Sequence, residues 1–155
     1  MNIPAAEVIA SGYDQRRGSD VAAFELQLWG AHPRREVVPA LVAAFKFTKL
    51  AYGRAAILSS LLPFARLSPQ VTALACTALQ DRSYLVREHG CSVLAYSQLQ
   101  SVLPALRIAI HHPDPRTQAD ASAAISAIES CNHNRYVDRQ ATGSTLWQVP
   151  HIAGL

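Results

Sequence analysis

The chain has 155 residues, of which 50% are hydrophobic and 16% are charged, with 14 Lys and Arg against 11 Asp and Glu. This length predicts a single domain over 1–155, and the low charged fraction excludes disordered and polyelectrolyte classes. No apolar stretch reaches the roughly 18 residues of a membrane span, and the N-terminus lacks the basic and apolar regions of a secretory signal, so we expect a cytoplasmic protein with no membrane partner.

The net charge of +3 is concentrated in one part of the chain. Between Glu36 and Asp81 there is no acidic residue, and four cations fall in this interval: Lys46, Lys49, Arg54 and Arg66. The interval predicts either a solvated surface with few acids or a contact patch for an acidic partner or a phosphate. Four cations would release few counterions at physiological salt, which argues against a nucleic-acid partner.

The first 35 residues predict a degenerate leading pair of helices. We expect a short helix over 4–11 that ends at Gly12, and a second helix that is capped by Ser19 and runs through Trp29. The alternation of apolar residues over 24–28 would also suit a strand, but the cap favours the helix.

Three segments repeat at intervals of about 33 and 32 residues, at 36–44, 69–77 and 101–109. Each is followed by a second helical segment, and these begin at Tyr52, Ser83 and Pro115. Apolar residues recur every three and four positions in these segments, and alanine, with 26 residues, is the most abundant type. The pattern predicts helix pairs that pack on one another.

Residues that typically begin or end helices lie at these boundaries. Ser68 and Asp114 each precede a proline and are predicted N-caps, and Ser101 is predicted to cap a helix that starts at Val102. Pro63 is expected to end or kink the helix before it.

The segment DRSYLVREHGCSVLAY at 81–96 resembles the second half of a HEAT repeat. In that family a loop Asp precedes a helix that opens with Val-Arg, and Asp81, Val86 and Arg87 fill those roles. The segment at 111–128 resembles the next copy, whereas the copy at 36–66 is weaker because it has no loop Asp and only Arg54 in the place of the arginine.

The resemblance covers about 36–130. It implies an all-α fold, a right-handed α-solenoid of three to four antiparallel helix pairs, with a leading pair over 1–35, repeats over 36–131 and a capping tail over 132–155. In this family the second helices line a concave face to which partners bind.

The tail leaves the helical pattern. The segments 135–139 and 145–149 are β-prone and a Thr-Gly turn lies between them, which predicts a short β-hairpin packed on the last helices.

The large side chains of the tail allow two interpretations. As a structural cap, Tyr136 and Trp147 would seal the core, Asn132 would end the last helix in a left-handed conformation, and Asp138 and Arg139 would pair locally. As a partner site, the same segment would supply the Tyr, Trp and Arg side chains that dominate binding hot spots. The cap is the favoured interpretation.

The histidines and cysteines match no known catalytic or metal-binding spacing. His89, His111, His112 and His133 form no zinc motif, and Cys91 lies two residues after His89, on a different helix face. No glycine-rich phosphate loop is present, so we predict no cofactor and no metal. Cys76, Cys91 and Cys131 are expected to be reduced, buried thiols.

Glu88 and Asp120 are the one candidate acid/base pair. Two carboxylates on neighbouring helices are also typical of a surface salt-bridge ladder, with Arg87 and Arg116 close by, and the ladder is the favoured interpretation.

The sequence as a whole favours a non-catalytic protein-binding module. It resembles short bacterial HEAT-repeat proteins, some of which look like immunity partners of secreted toxins, so we expect it to bind a cognate toxin with an acidic surface, as a monomer or a homodimer. The alternatives are a scaffold or regulator of a host enzyme, or a HEAT-like lyase or DNA-base-repair enzyme. The predicted binding residues are Lys46, Lys49, Arg54, Arg87, Glu88, Asp120, His133, Asn134, Tyr136, Asp138, Arg139 and Trp147.

Overall fold

The computed structural model describes residues 2–31 and 34–143, and this part of the chain is all-helical, with nine α-helices and no strand. No helix among these residues is both long enough and apolar enough to cross a bilayer. The helices are α1 (Ala6–Asp14), α2 (Ser19–Trp29), α3 (Val38–Phe45), α4 (Ala51–Leu61), α5 (Pro69–Ala78), α6 (Tyr84–Ser97), α7 (Leu103–Ala109), α8 (Pro115–Glu129) and α9 (Asn134–Val137).

Each helix pair packs against the pair that precedes or follows it in the chain. The second helices of successive pairs form one series, in which α4 contacts α6 and α6 contacts α8. The first helices form another, in which α1 contacts α3 and α3 contacts α5, while α3 with α4, α5 with α6 and α7 with α8 close the pairs. One apolar core runs through both series, with Ile9, Leu41, Leu58, Leu94 and Ile128 fully buried.

Helices α5 and α6 approach most closely at Gly90. A Cβ atom at this position would lie 3.0 Å from the Ala75 carbonyl oxygen and 3.1 Å from the Ala78 Cβ. The small residue in the apolar stripe of α6 therefore permits the contact with α5.

The leading pair is helical, as predicted, but its boundaries differ. Helix α1 continues through Gly12 to Asp14, and the Phe24 ring of α2 lies so close to Gly12 that it leaves no room for a side chain there. Residues 24–28 lie inside α2, so the strand alternative is wrong. Helix α2 packs loosely, since Trp29 alone of its eleven described residues is buried.

Three of the predicted helix boundaries, at Ser68, Asp114 and Pro63, are confirmed, whereas Ser19 is the first residue of α2 and Gly18 is its N-cap. Ser68 and Asp114 occupy N-cap positions, and the Asp114 side chain accepts a hydrogen bond from the Arg116 backbone N–H. Helix α4 gives way to a 3₁₀ turn at Leu62–Phe64 that contains Pro63. Ser101, however, lies inside a 3₁₀ turn at Gln100–Val102 and does not cap α7.

The tail differs from the prediction. Residues 135–137, the start of the strand expected at 135–139, lie in α9, and Tyr136 is buried in this helix, which contacts α6 and α8. The second expected strand, 145–149, and Trp147 lie outside the described residues. The left-handed residue after α8 is Cys131, with φ 53°, and not Asn132.

The three cysteines differ in exposure. Cys91 is buried and Cys76 half-buried, whereas Cys131 is exposed because the left-handed turn after α8 turns it outward. All three are free thiols.

Candidate functional site

A buried ion pair joins the helix pairs on either side of it. The Arg54 guanidinium on α4 donates from Nε to Asp81 Oδ2 at 2.8 Å and from Nη2 to Asp81 Oδ1 at 3.0 Å. It also donates from Nη1 to the carbonyl oxygen of Lys49 at 2.7 Å. Arg54 therefore ties the loop before its own helix to the loop before α6.

The next helix pair repeats this arrangement. Arg87, 33 residues after Arg54, donates from Nη2 to Asp114 Oδ2 at 2.9 Å, from Nε to Thr117 Oγ1 at 2.8 Å and from Nη1 to the Asp81 carbonyl at 2.7 Å. Hydrogen bonding to the exposed Arg116 lowers the pKa of Asp114 to about 2. Arg54 and Arg87, expected on a binding face, are thus buried in internal contacts.

The third residue in this series of 33-residue intervals is an acid instead of an arginine. Asp120 stands 33 residues after Arg87 and is only 4% exposed. Its cation comes from the tail: Arg139 Nε donates to Asp120 Oδ1 at 2.7 Å, and Arg139 Nη2 donates to Glu88 Oε1 at 2.8 Å. Asp120 Oδ2 accepts from the Tyr84 hydroxyl at 2.8 Å.

These contacts decide what Glu88 and Asp120 can do chemically. Both carboxylates are brought together on one guanidinium, so they form a salt-bridge network in which the single positive charge of Arg139 offsets one of two negative charges. The partner is Arg139; the expected partners Arg87 and Arg116 bind Asp114 instead. Burial, followed by the hydrogen bond to Asp120, raises the pKa of Tyr84 to about 12.

Tyr136 locks the tail onto the same network. Its ring is buried, its hydroxyl donates to the Glu88 carbonyl at 2.8 Å, and the Arg139 guanidinium lies 4.4 Å from its ring centroid. Burial raises the pKa of Tyr136 well above its ordinary value. Tyr136 and Arg139 make the contacts of a structural cap.

His133 lies under the same end of the molecule. Its ring meets Tyr96 edge-on at 5.1 Å, and Arg66 covers the Tyr96 ring at 4.1 Å. Burial, and then repulsion from Arg66, lower the pKa of His133 to about 4, so the imidazole is neutral at pH 7. Its Nε2 is buried without a hydrogen-bond partner among the described residues.

A groove of about 520 Å³ is lined by residues of α8, by Tyr84 of α6 and by residues of the tail. Its floor is made of small side chains at helical spacing: Ala119, Ser122, Ala123 and Ser126. Arg116, Arg135, Arg139, Tyr84, Asp120 and Gln140 line its sides. We refer to these ten residues as the α8 groove.

Arginines stand at the two ends of the α8 groove. The Arg116 side chain is 63% exposed beside the helix N-terminus and lies over the Tyr84 ring. Arg135 is exposed near the other end, where its Nη1 approaches Ser126 Oγ at 3.4 Å. The predicted binding residues include neither arginine, although Arg135 lies in the tail segment considered as a partner site and the stripe of small residues was a usable signal.

The other predicted residues lie elsewhere. Lys46 and Lys49 are exposed on the loop between α3 and α4, and the Lys46 ammonium lies 5.0 Å from the Phe47 ring centroid. Asn134 is exposed, and Asp138 accepts a hydrogen bond from the Thr142 backbone N–H.

The described residues hold no group of three or more His, Cys, Asp and Glu side chains that could bind a metal ion. Burial raises the pKa of Cys91 to about 12, so its thiol is protonated at neutral pH and is a poor nucleophile. No family model, curated protein or solved structure matches the chain.

Proposed function

We propose that the chain is a non-catalytic, HEAT-like α-solenoid that binds an acidic segment of a partner protein in the α8 groove. The observation that carries this proposal is the pair of exposed arginines, Arg116 and Arg135, at the two ends of a groove floored by small side chains.

The solenoid part of the proposal is supported by a repeat in the contacts. Arg54 with Asp81 and Arg87 with Asp114 are the same buried interaction one 33-residue unit apart. Each helix pair also packs on the next one, which is the contact pattern of a repeat array.

The acidic partner is supported by the charges of the groove. Arg139 is already neutralised by two carboxylates, and Arg116 shares Asp114 with Arg87. Arg135 forms no ion pair within the described residues. The groove therefore carries positive charge at its ends that a partner's carboxylates would complement, and guanidinium groups bind carboxylates with strong, directional hydrogen bonds.

The geometry limits the shape of the bound segment. Arg116 and Ser126 are ten residues apart on α8, which is about 15 Å along the helix axis, and Arg135 lies beside Ser126. An extended chain covers about 3.3 Å per residue, so two acidic residues four to five positions apart would reach both arginines. The small floor would let the backbone of the segment lie close to α8.

A cognate toxin with an acidic surface is the partner that we propose, on the strength of the resemblance to immunity-type HEAT proteins. A scaffold role would use the same groove. Neither role needs catalysis, and Arg139 engages both the Glu88 and the Asp120 carboxylates.

A selection of displayed peptides tests the groove directly. Random 12-residue peptides would be selected on the wild type, on Arg116→Gln/Arg135→Gln, and on Arg34→Gln/Arg35→Gln as the control with two exposed arginines removed elsewhere. We expect sequences with paired Asp or Glu on the wild type and the control, and about tenfold or weaker binding of those peptides to the groove variant. Equal binding to the groove variant, or no acidic enrichment, would contradict the proposal.

The same three proteins test the immunity role. Each would be co-expressed with a secreted toxin encoded beside the gene, and growth would be measured. We expect the wild type and the control to restore growth and the groove variant to fail. Rescue by all three would show that immunity does not depend on the groove, and rescue by none would contradict the immunity role.

A further inference from the structure

A second cleft, of about 440 Å³, lies between α2 and α4. Its volume is within the range of small-molecule sites. It is open because α2 packs loosely, with one buried residue. Apolar side chains form most of its lining, including Val21, Trp29, Ala56 and Pro63, and Glu25 and Ser60 are polar members of the same lining. We refer to it as the α2 cleft.

Glu25 is held in a fixed position in this cleft. Its Oε1 accepts hydrogen bonds from the Tyr13 hydroxyl of α1, at 2.9 Å, and from the Ser60 hydroxyl of α4. Both donors act on the same oxygen, so Oε2 is left for another donor. Within the described residues no Lys, Arg or His forms an ion pair with Glu25.

Burial makes the ionised form of Glu25 costly. Burial raises the pKa of Glu25 above its ordinary value, and the hydroxyls of Ser60 and Tyr13 only partly oppose the rise. A carboxylate in an apolar cleft becomes favourable when a cation with its own hydrogen-bond donors pairs with it.

Trp29 supplies a second feature of a cation site. Trp29 lines the cleft at the end of α2, where an aromatic or aliphatic ligand body or a cation could pack against its ring. Val21, Ala56 and Pro63 would cover the apolar part of such a ligand.

We propose that the α2 cleft binds a small organic amine, with its ammonium group on the Glu25 carboxylate and its aromatic or aliphatic body between Trp29 and Ala56. The site is separate from the α8 groove, and the proposal does not depend on the proposed function.

The test uses 2-phenylethylamine as the probe and Trp29 fluorescence as the readout. The chain has two tryptophans, so a Trp147→Phe background leaves Trp29 as the only reporter. We expect saturable binding of the amine with a dissociation constant of about 0.1–10 mM, as for other ligands of this size. The neutral 2-phenylethanol and the anionic phenylacetate have nearly the same body, and we expect each to bind about tenfold more weakly or worse.

Variants assign the binding to the cleft. Glu25→Gln keeps the shape and removes the charge, and we expect it to weaken amine binding about tenfold or more, whereas Glu36→Gln, at an exposed acid outside the cleft, leaves it unchanged. Ala22→Leu places bulk in the cleft from an exposed position, so it should abolish binding without touching the carboxylate. Circular dichroism establishes that each variant is folded.

Three results would overturn the proposal. These are the absence of saturation up to about 10 mM amine, equal binding of the alcohol and the amine, and undiminished amine binding by a folded Glu25→Gln or Ala22→Leu variant.

Discussion

Arg54 illustrates how a charged residue can hold a helix array together from inside. Its side chain is 9% exposed and that of Asp81 is 12% exposed, and the two share a two-pronged pair of hydrogen bonds. Removing one member of a buried pair leaves the other charge uncompensated, which costs far more than losing an exposed pair. Arg107 and Glu129, 57% and 55% exposed and 3.7 Å apart, provide the exposed comparison in the same molecule.

We expect Arg54→Met to lower the free energy of unfolding by about 3 kcal/mol, because Asp81 and the Lys49 carbonyl lose their donor. Arg107→Met is the matched control and should change it by less than about 0.5 kcal/mol. Urea unfolding followed by circular dichroism measures both. Similar small losses for the two variants would mean that the buried pair contributes little and that packing alone holds the two units together.

At the scale of the element, Gly90 sets the distance between α5 and α6. The atoms that a side chain would meet, the Ala75 carbonyl oxygen and the Ala78 Cβ, belong to a helix and cannot move without shifting α5. We therefore expect Gly90→Val to destabilise the protein by about 2 kcal/mol, within the range of overpacked cores. Thermal unfolding measures the change, and Ala73→Val on the exposed side of α5 is the control, with a loss of about 0.5 kcal/mol. A stability of Gly90→Val equal to that of the control would show that α5 and α6 can move apart without a large loss of stability.

Elements whose signals are local were predictable from the sequence. Periodic apolar residues and the proline at Pro115 predicted α8, and Pro63 marked the end of α4. The tail was not predictable in this way: residues 135–139 are β-prone, but the Asn132 side chain accepts from the Asn134 N–H, and burial of Tyr136 then favours a turn of helix. Tertiary burial overrode a weak local preference.

At the scale of the molecule, the candidate site was predictable only in part. Glu88, Asp120, Tyr136 and Arg139 were expected to matter, and the structure brings these four together. Their partners could not be predicted, because Arg139 and Glu88 are 51 residues apart in the sequence and no local sequence pattern indicates their contact. The 33-residue spacing of Arg54, Arg87 and Asp120 was the one available clue. An acid at the position of a buried arginine needs a cation from another part of the chain.

The contact of Arg139 with Asp120 is therefore expected to set the stability of the C-terminal helices. Arg139→Met would leave the buried Asp120 carboxylate without its cation, and we expect the free energy of unfolding to fall by about 3 kcal/mol. Asp120→Asn removes the charge that Arg139 compensates, so the double variant should lose at least about 1 kcal/mol less than the sum of the single losses, as measured by urea unfolding.

Because the described helices mainly contact their own pair and the adjacent pairs, the effect should also be local. Amide hydrogen exchange in Arg139→Met should accelerate in α8 and α9 before it does in α3 and α4, since uncapping frees the end of the array first. Additive losses in the double variant would mean that Arg139 acts through Glu88 or through its stacking on Tyr136 and not through Asp120. Uniform acceleration along the chain would mean that the helix pairs unfold as one unit and that the tail caps the whole molecule.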